Sequence, residues 1–77
     1  MAWKKYTEKA PEQEGSYKCK MKDGSEKELI LYIESDWNEN TLDNVYWYHW
    51  FETEQDRKDW SPLEEEDEPE FWWDGKN

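Results

Sequence analysis

The sequence predicts a small, mainly β domain. The expected fold is a three- to four-stranded antiparallel sheet with a short helical or irregular acidic C-terminal segment, an α+β arrangement being the alternative. Three observations predict it. Residues 16–21 alternate, with Tyr17, Cys19 and Met21 on one face and Lys18 and Lys20 on the other, the period of a half-buried strand. Residues 45–52 are enriched in aromatic and β-branched side chains, which favour strands. Finally, seven Trp, five Tyr and two Phe supply apolar area that a chain only 34% hydrophobic and 40% charged would otherwise lack. Without them the composition would signal disorder. Seventy-seven residues allow one domain. We divide 1–77 into an N-terminal arm (1–14), an antiparallel sheet (15–52) and an acidic aromatic C-terminal segment (53–77). A chain of this size buries only about 60% of its unfolded surface, so the core should be thin and aromatic.

Residues 1–14 mix Trp3 and Tyr6 with charges and are broken by Ala10-Pro11 and Gly15; they read as an irregular arm whose Trp3 packs back on the core. The strand at 16–21 meets a turn signal, Lys22-Asp23-Gly24, and a second strand follows at 26–33. The register can be derived. A three-residue loop with Gly24 left-handed sets Met21 opposite Ser25, Lys20 opposite Glu26, Lys18 opposite Glu28 and Tyr17 opposite Leu29. Opposite charges then share one face and apolar side chains the other. A two-residue loop would instead set Lys18 against Leu29 and Cys19 against Glu28, so pairing favours the first register. Residues 34–44 are turn-rich and read as a loop, and 45–52 as a third strand with bulky side chains on both faces. Residues 53–60 fit a short helical turn or a loop. Ser61-Pro62-Leu63-Glu64 has the form of a helix start, with Ser61 as N-cap, and Pro69 limits any such helix to about two turns. Phe71-Trp72-Trp73 either returns to the sheet or stays free.

Charge is lopsided. Residues 1–33 hold seven Lys against six acids, a net of +1; residues 34–77 hold Arg57, Lys58 and Lys76 against fifteen acids, a net of −12. A total of −11 argues against direct contact with nucleic acid or an anionic membrane, whose phosphates need Lys and Arg. No apolar run approaches the ~18–20 residues of a membrane span, and no basic-then-apolar leader opens the chain. One cysteine makes neither an internal disulfide nor a multi-Cys metal site. Gly15, Gly24 and Gly75 are isolated, so there is no phosphate-cradling loop. The acidic run lacks the spacing of a Ca²⁺ loop. We therefore expect no cofactor, no metal and no catalytic residue. Cys19 reads as a small buried side chain and His49 as a packed, hydrogen-bonded one.

Trp3, Glu8, Pro11, Gly15, Asp23-Gly24, Trp37, Val45 and His49-Trp50 occur in order. Over residues 3–50 this pattern resembles a small phage- and prophage-borne domain family of unknown function. The resemblance implies a mainly β fold and a phage origin, and nothing about catalysis. The chain departs from the pattern after Trp50, where Ser61-Pro62-Leu63 stands as a displaced remnant of a Pro-rich close.

The candidate partner-binding residues are Glu34, Asp36, Glu39, Asp43, Glu52, Glu54, Asp56, Asp59, Glu64, Glu65, Glu66, Asp67 and Glu68. Held on a stiff aromatic scaffold, these carboxylates would imitate the phosphates of nucleic acid; the bland alternative is that they only keep the domain soluble. Phe71, Trp72 and Trp73 join them as anchors behind an acidic run, or else complete the domain's own core. The expected function is a phage-type acidic protein, not an enzyme, in the cytoplasm of a bacterial host. It would inhibit a basic nucleic-acid-binding host protein, of restriction or CRISPR type, as a DNA mimic. The alternative is an adaptor that binds through exposed aromatics and the Phe-Trp-Trp tail, with homodimerisation at an open sheet edge as a further mode.

Overall fold

The computed structural model describes residues 2–75. Five strands, β1 (Ala2–Lys5), β2 (Gly15–Lys20), β3 (Glu26–Asn38), β4 (Asp43–Phe51) and β5 (Phe71–Asp74), form one antiparallel sheet in the order β1-β5-β2-β3-β4. A five-residue helix α1 (Glu54–Lys58) and a 3₁₀ turn at Glu65–Asp67 lie between β4 and β5. The mainly β class is the one the sequence predicts, with two strands more than the hairpin and third strand read from the pattern.

The β2–β3 hairpin has the derived register, with Tyr17 opposite Leu29, Lys18 opposite Glu28 and Lys20 opposite Glu26. Met21 N–H donates to the Ser25 carbonyl at 2.7 Å, closing the three-residue loop, and Gly24 takes φ +91°, which a side chain would resist. The Asp23 carboxylate accepts both the Ser25 amide and hydroxyl, and these bonds lower its pKa. Lys18 pairs on the diagonal with Glu26 at 3.5 Å, while Lys20 lies over the Trp3 ring at 4.8 Å.

At the chain ends one expectation needs correction and one open question is answered. The N-terminal arm is not irregular throughout but contributes β1, and of the two readings of Phe71-Trp72-Trp73 the segment returns to the sheet as β5, which inserts between β1 and β2 with Trp3 opposite Trp73 and Cys19 opposite Trp72. Just before β5, Glu70 adds to the pairing: its N–H donates to Lys20 O and its carbonyl accepts from Tyr6 N–H, each at 2.9 Å. Trp3 and Trp73 meet edge to face at 5.2 Å.

The core lies on one face of the sheet: Cys19, Leu29, Leu31, Trp50 and Trp72, with Tyr6, Tyr17, Met21, Ile33, Tyr48 and Leu63 packed around it. Trp50 is fully buried, edge to face with Tyr6 and with Tyr17. Its indole N–H approaches the Tyr6 hydroxyl without reaching hydrogen-bond geometry and has no other partner among the described residues. Trp72 does satisfy its indole, donating to Lys9 O at 2.6 Å. Burial pushes the Tyr6 hydroxyl and the Cys19 thiol each up to about 12.

The expected helix start at Ser61 does not form. Leu63 N–H donates instead to the Trp50 carbonyl at 2.7 Å, which ties Leu63 to the edge of β4. Only after Glu64 does a short 3₁₀ turn appear, with no side-chain cap. The helical turn at 53–60 is present, capped by the Thr53 hydroxyl, which accepts from Asp56 N–H at 3.1 Å.

Candidate binding surface

The expected loop at 34–44 is also corrected. β2 stops opposite Leu31, yet β3 and β4 stay paired out to Asn38 and Asp43. Residues 32–38 and 43–49 therefore form a two-stranded ribbon that overhangs the five-stranded sheet by roughly 24 Å, at about 3.4 Å per residue. Asp and Asn look like loop formers in the sequence. Here they serve the ribbon: Asp36 Oδ1 accepts from Trp37 N–H and Asp43 Oδ1 from Asn44 N–H, each at 2.8 Å, while Asn38 Oδ1 caps the turn at Asn40.

Directly opposed residues of an antiparallel pair point to the same face. Tyr32/His49, Glu34/Trp47, Asp36/Val45 and Asn38/Asp43 thus share the outer face, and Ile33/Tyr48, Ser35/Tyr46 and Trp37/Asn44 continue the core face. Glu34, Asp36 and Asp43 accordingly lie together on one side, with Glu39 in the tip loop. Along the chain, no Lys or Arg occurs between Lys27 and Arg57. The only side chain of the ribbon able to carry positive charge is His49, whose Nε2 is 3.2 Å from Glu34 Oε1. A shallow hollow of about 310 Å³ is bordered by Glu34, Ser35, Asp36, Trp47 and His49.

A lone two-stranded ribbon is marginal in water. Its base is held by Trp60, which packs against Tyr32, His49 and Phe51 at centroid distances of 5.5, 4.9 and 5.4 Å. Trp60 stands just past α1, where its N–H donates to Arg57 O and the Ser61 N–H to Asp56 O, the two bonds of a Schellman cap. The position requires left-handed backbone, and Trp60 has φ +54° where glycine is usual. Nothing similar covers the tip. Trp37 (53% exposed), Leu42 (74%), Tyr46 (53%) and Trp47 (45%) are open to solvent. These four were not among the predicted site residues. The signal available in the sequence was the coincidence of a long gap in Lys and Arg with an aromatic strand.

The other predicted site residues lie elsewhere. Glu52 pairs with Lys27 at 3.6 Å. Glu54, Asp56 and Asp59 belong to α1 and its cap; Arg57 binds the Glu54 carboxylate and lowers its pKa, and Asp59 accepts from Gln55. Glu64, Glu65, Glu66, Asp67 and Glu68 run beside the β2–β3 turn, where Lys22 reaches the carbonyls of Glu65 and Glu66 at 3.4 Å. That turn precedes β3, whereas the ribbon tip follows it. The acids of the second half therefore lie at opposite ends of the molecule and do not share the single face expected of them. Glu68 is half-buried, and burial, with the Glu65 charge second, raises its pKa. Trp72 is a core side chain, 4% exposed, with Phe71 and Trp73 half-buried in β5, so the tail offers no free anchor.

Cys19 is inside the sheet and His49 is packed under Trp60. Among the described residues no group of three His, Cys, Asp or Glu side chains could hold a metal ion, and no helix is long and apolar enough to cross a membrane. No family model matches the chain, nor does any curated protein or solved structure.

Proposed function

We propose that the protein is a non-enzymatic, phage-type inhibitor acting in the cytoplasm of a bacterial host. Its β3–β4 ribbon occupies the basic nucleic-acid-binding surface of a host protein, of the restriction or CRISPR type, and blocks it without turnover. One observation carries this reading: a projecting ribbon without Lys or Arg that sets Glu34, Asp36 and Asp43 on one face. Glu34 and Asp36 are two residues apart on β3, about 6.8 Å. That is two of the roughly 3.4 Å axial steps by which one DNA strand advances its phosphates. Anions presented this way steer a basic partner and make binding salt-dependent.

The exposed Trp37, Leu42, Tyr46 and Trp47 favour a second reading, an adaptor anchored by aromatics, whose anchors then belong to the ribbon and not to the tail. Capture from a bacterial lysate on the immobilised protein separates the two. Mimicry predicts that the captured proteins are basic, bind nucleic acid, and are released both by duplex DNA and by raising the salt. Retention of the same proteins through both washes contradicts mimicry and leaves the adaptor reading.

A further inference from the structure

The free edge of β4 has a chemistry of its own. The hairpin closure bond from Met21 to Ser25 fixes the hydrogen-bonding parity of β3, so that Leu29 and Leu31 direct their amides and carbonyls toward β2. Trp50, opposite Leu31, therefore directs its own outward, away from β3. The Leu63 N–H on the Trp50 carbonyl agrees with this. By alternation, Tyr48, Tyr46 and Asn44 also present backbone groups to the outside. Leu63 closes this edge at one end, and the Asp43 side chain occupies the Asn44 N–H at the other. Between them the outward groups of Tyr46 and Tyr48 meet no partner among the described residues. Natural edges are usually blunted with Lys or Pro; Asp43–Phe51 carries neither.

We infer that this edge takes up an extended segment of the partner as a sixth strand, and that the segment alternates Lys or Arg with apolar residues. The inference rests on the proposed acidic-ribbon reading and names how the partner is held. Charge complementarity selects the occupant. On the outer face the added strand runs beside Val45 and Trp47, with Glu34 and Asp36 one strand further, about 10 Å away. Long cationic side chains reach those carboxylates across the ribbon, and Trp47 offers a ring for a cation. On the other face, apolar side chains lie beside the exposed Tyr46. A second copy is the poorer occupant, because it would set one acidic ribbon that lacks Lys and Arg against another.

Two capped nine-residue peptides test this, one alternating Lys with Val and one alternating Lys with Pro, so that charge is equal and only the first can pair as a strand. Binding is read by titration at low salt and by amide exchange. The expected result is Lys/Val affinity at least about tenfold above Lys/Pro, with protection of the Tyr46 and Tyr48 amides. Tyr46→Pro removes an outward donor and spares the ladder to β3, and it should abolish that difference. Equal affinities overturn strand addition while leaving the acidic reading intact. Failure of both peptides to bind contradicts both readings. Concentration-dependent dimerisation that protects Tyr46 in the absence of peptide overturns the inference in favour of a second copy.

Discussion

Replacing Trp60 with Ala and with Gly should reverse the usual order of these two residues. In ordinary backbone, glycine is the more destabilising by about 0.5–1 kcal/mol. At Trp60 the backbone has φ +54°. A side chain there costs about 1–2 kcal/mol, which glycine escapes. Both substitutions lose the ring that packs on Tyr32, His49 and Phe51. Each aromatic pair is worth about 0.5–1.5 kcal/mol beyond its buried area. Because Trp60 is 48% exposed, the loss should be about 2–3 kcal/mol, below the about 3–5 of a buried Trp→Ala change. Trp60→Ala should therefore lose about 2–3 kcal/mol, and Trp60→Gly about 1 kcal/mol less. Urea unfolding followed by far-UV circular dichroism measures both. Amide exchange should show the Tyr32–His49 pair opening in both variants before the core strands do. An Ala variant as stable as the Gly variant, or more so, would refute the assignment of Trp60 as a strained cap held in place by its packing.

Three further outcomes follow from the same packing. Trp50→Ala should cost about 3–5 kcal/mol, a large share of the about 4–12 kcal/mol available to a 77-residue chain, and lower the urea midpoint sharply by circular dichroism. With its pKa pushed up to about 12 by burial, the Cys19 thiol should ignore iodoacetamide at pH 8 in the native protein and react at once in urea. Glu68 has a raised pKa, so its folded state binds the proton more tightly than the unfolded one; its stability contribution is present at low pH and is lost as pH rises through the folded value. Glu68→Gln should then raise neutral-pH stability slightly, and the gain should vanish in unfolding series run below the ordinary Glu value of 4.5.

The β2–β3 hairpin was legible in the sequence because everything that determines it is local. A glycine turn, a period of two and two charge pairs lie within thirteen residues and agree on one register. β4 was legible from composition alone. β1 was not, and β5 was legible only as one of two readings, because Trp3 and Trp73 pair across nearly the whole chain and each strand has only four residues. Ser61-Pro62 carried a sound helix signal, but a hydrogen bond from Leu63 to the sheet edge outweighed it. The site was half legible. Charge counting found the acidic half, but composition carries no direction. Pairing register alone separates Glu34, Asp36 and Asp43 on the ribbon from Glu64–Glu68 beside Lys22.

That separation gives the most direct test of the binding surface. Two triple variants change net charge equally: Glu34→Gln/Asp36→Asn/Asp43→Asn on the ribbon, and Glu64→Gln/Glu65→Gln/Glu66→Gln at the opposite end. Both are immobilised at low salt and challenged with the same bacterial lysate, beside the wild-type protein. The ribbon variant should lose the basic nucleic-acid-binding proteins that the wild type captures, and the other variant should keep them. Equal losses, or a loss confined to the Glu64–Glu66 variant, would contradict the ribbon as the surface that binds.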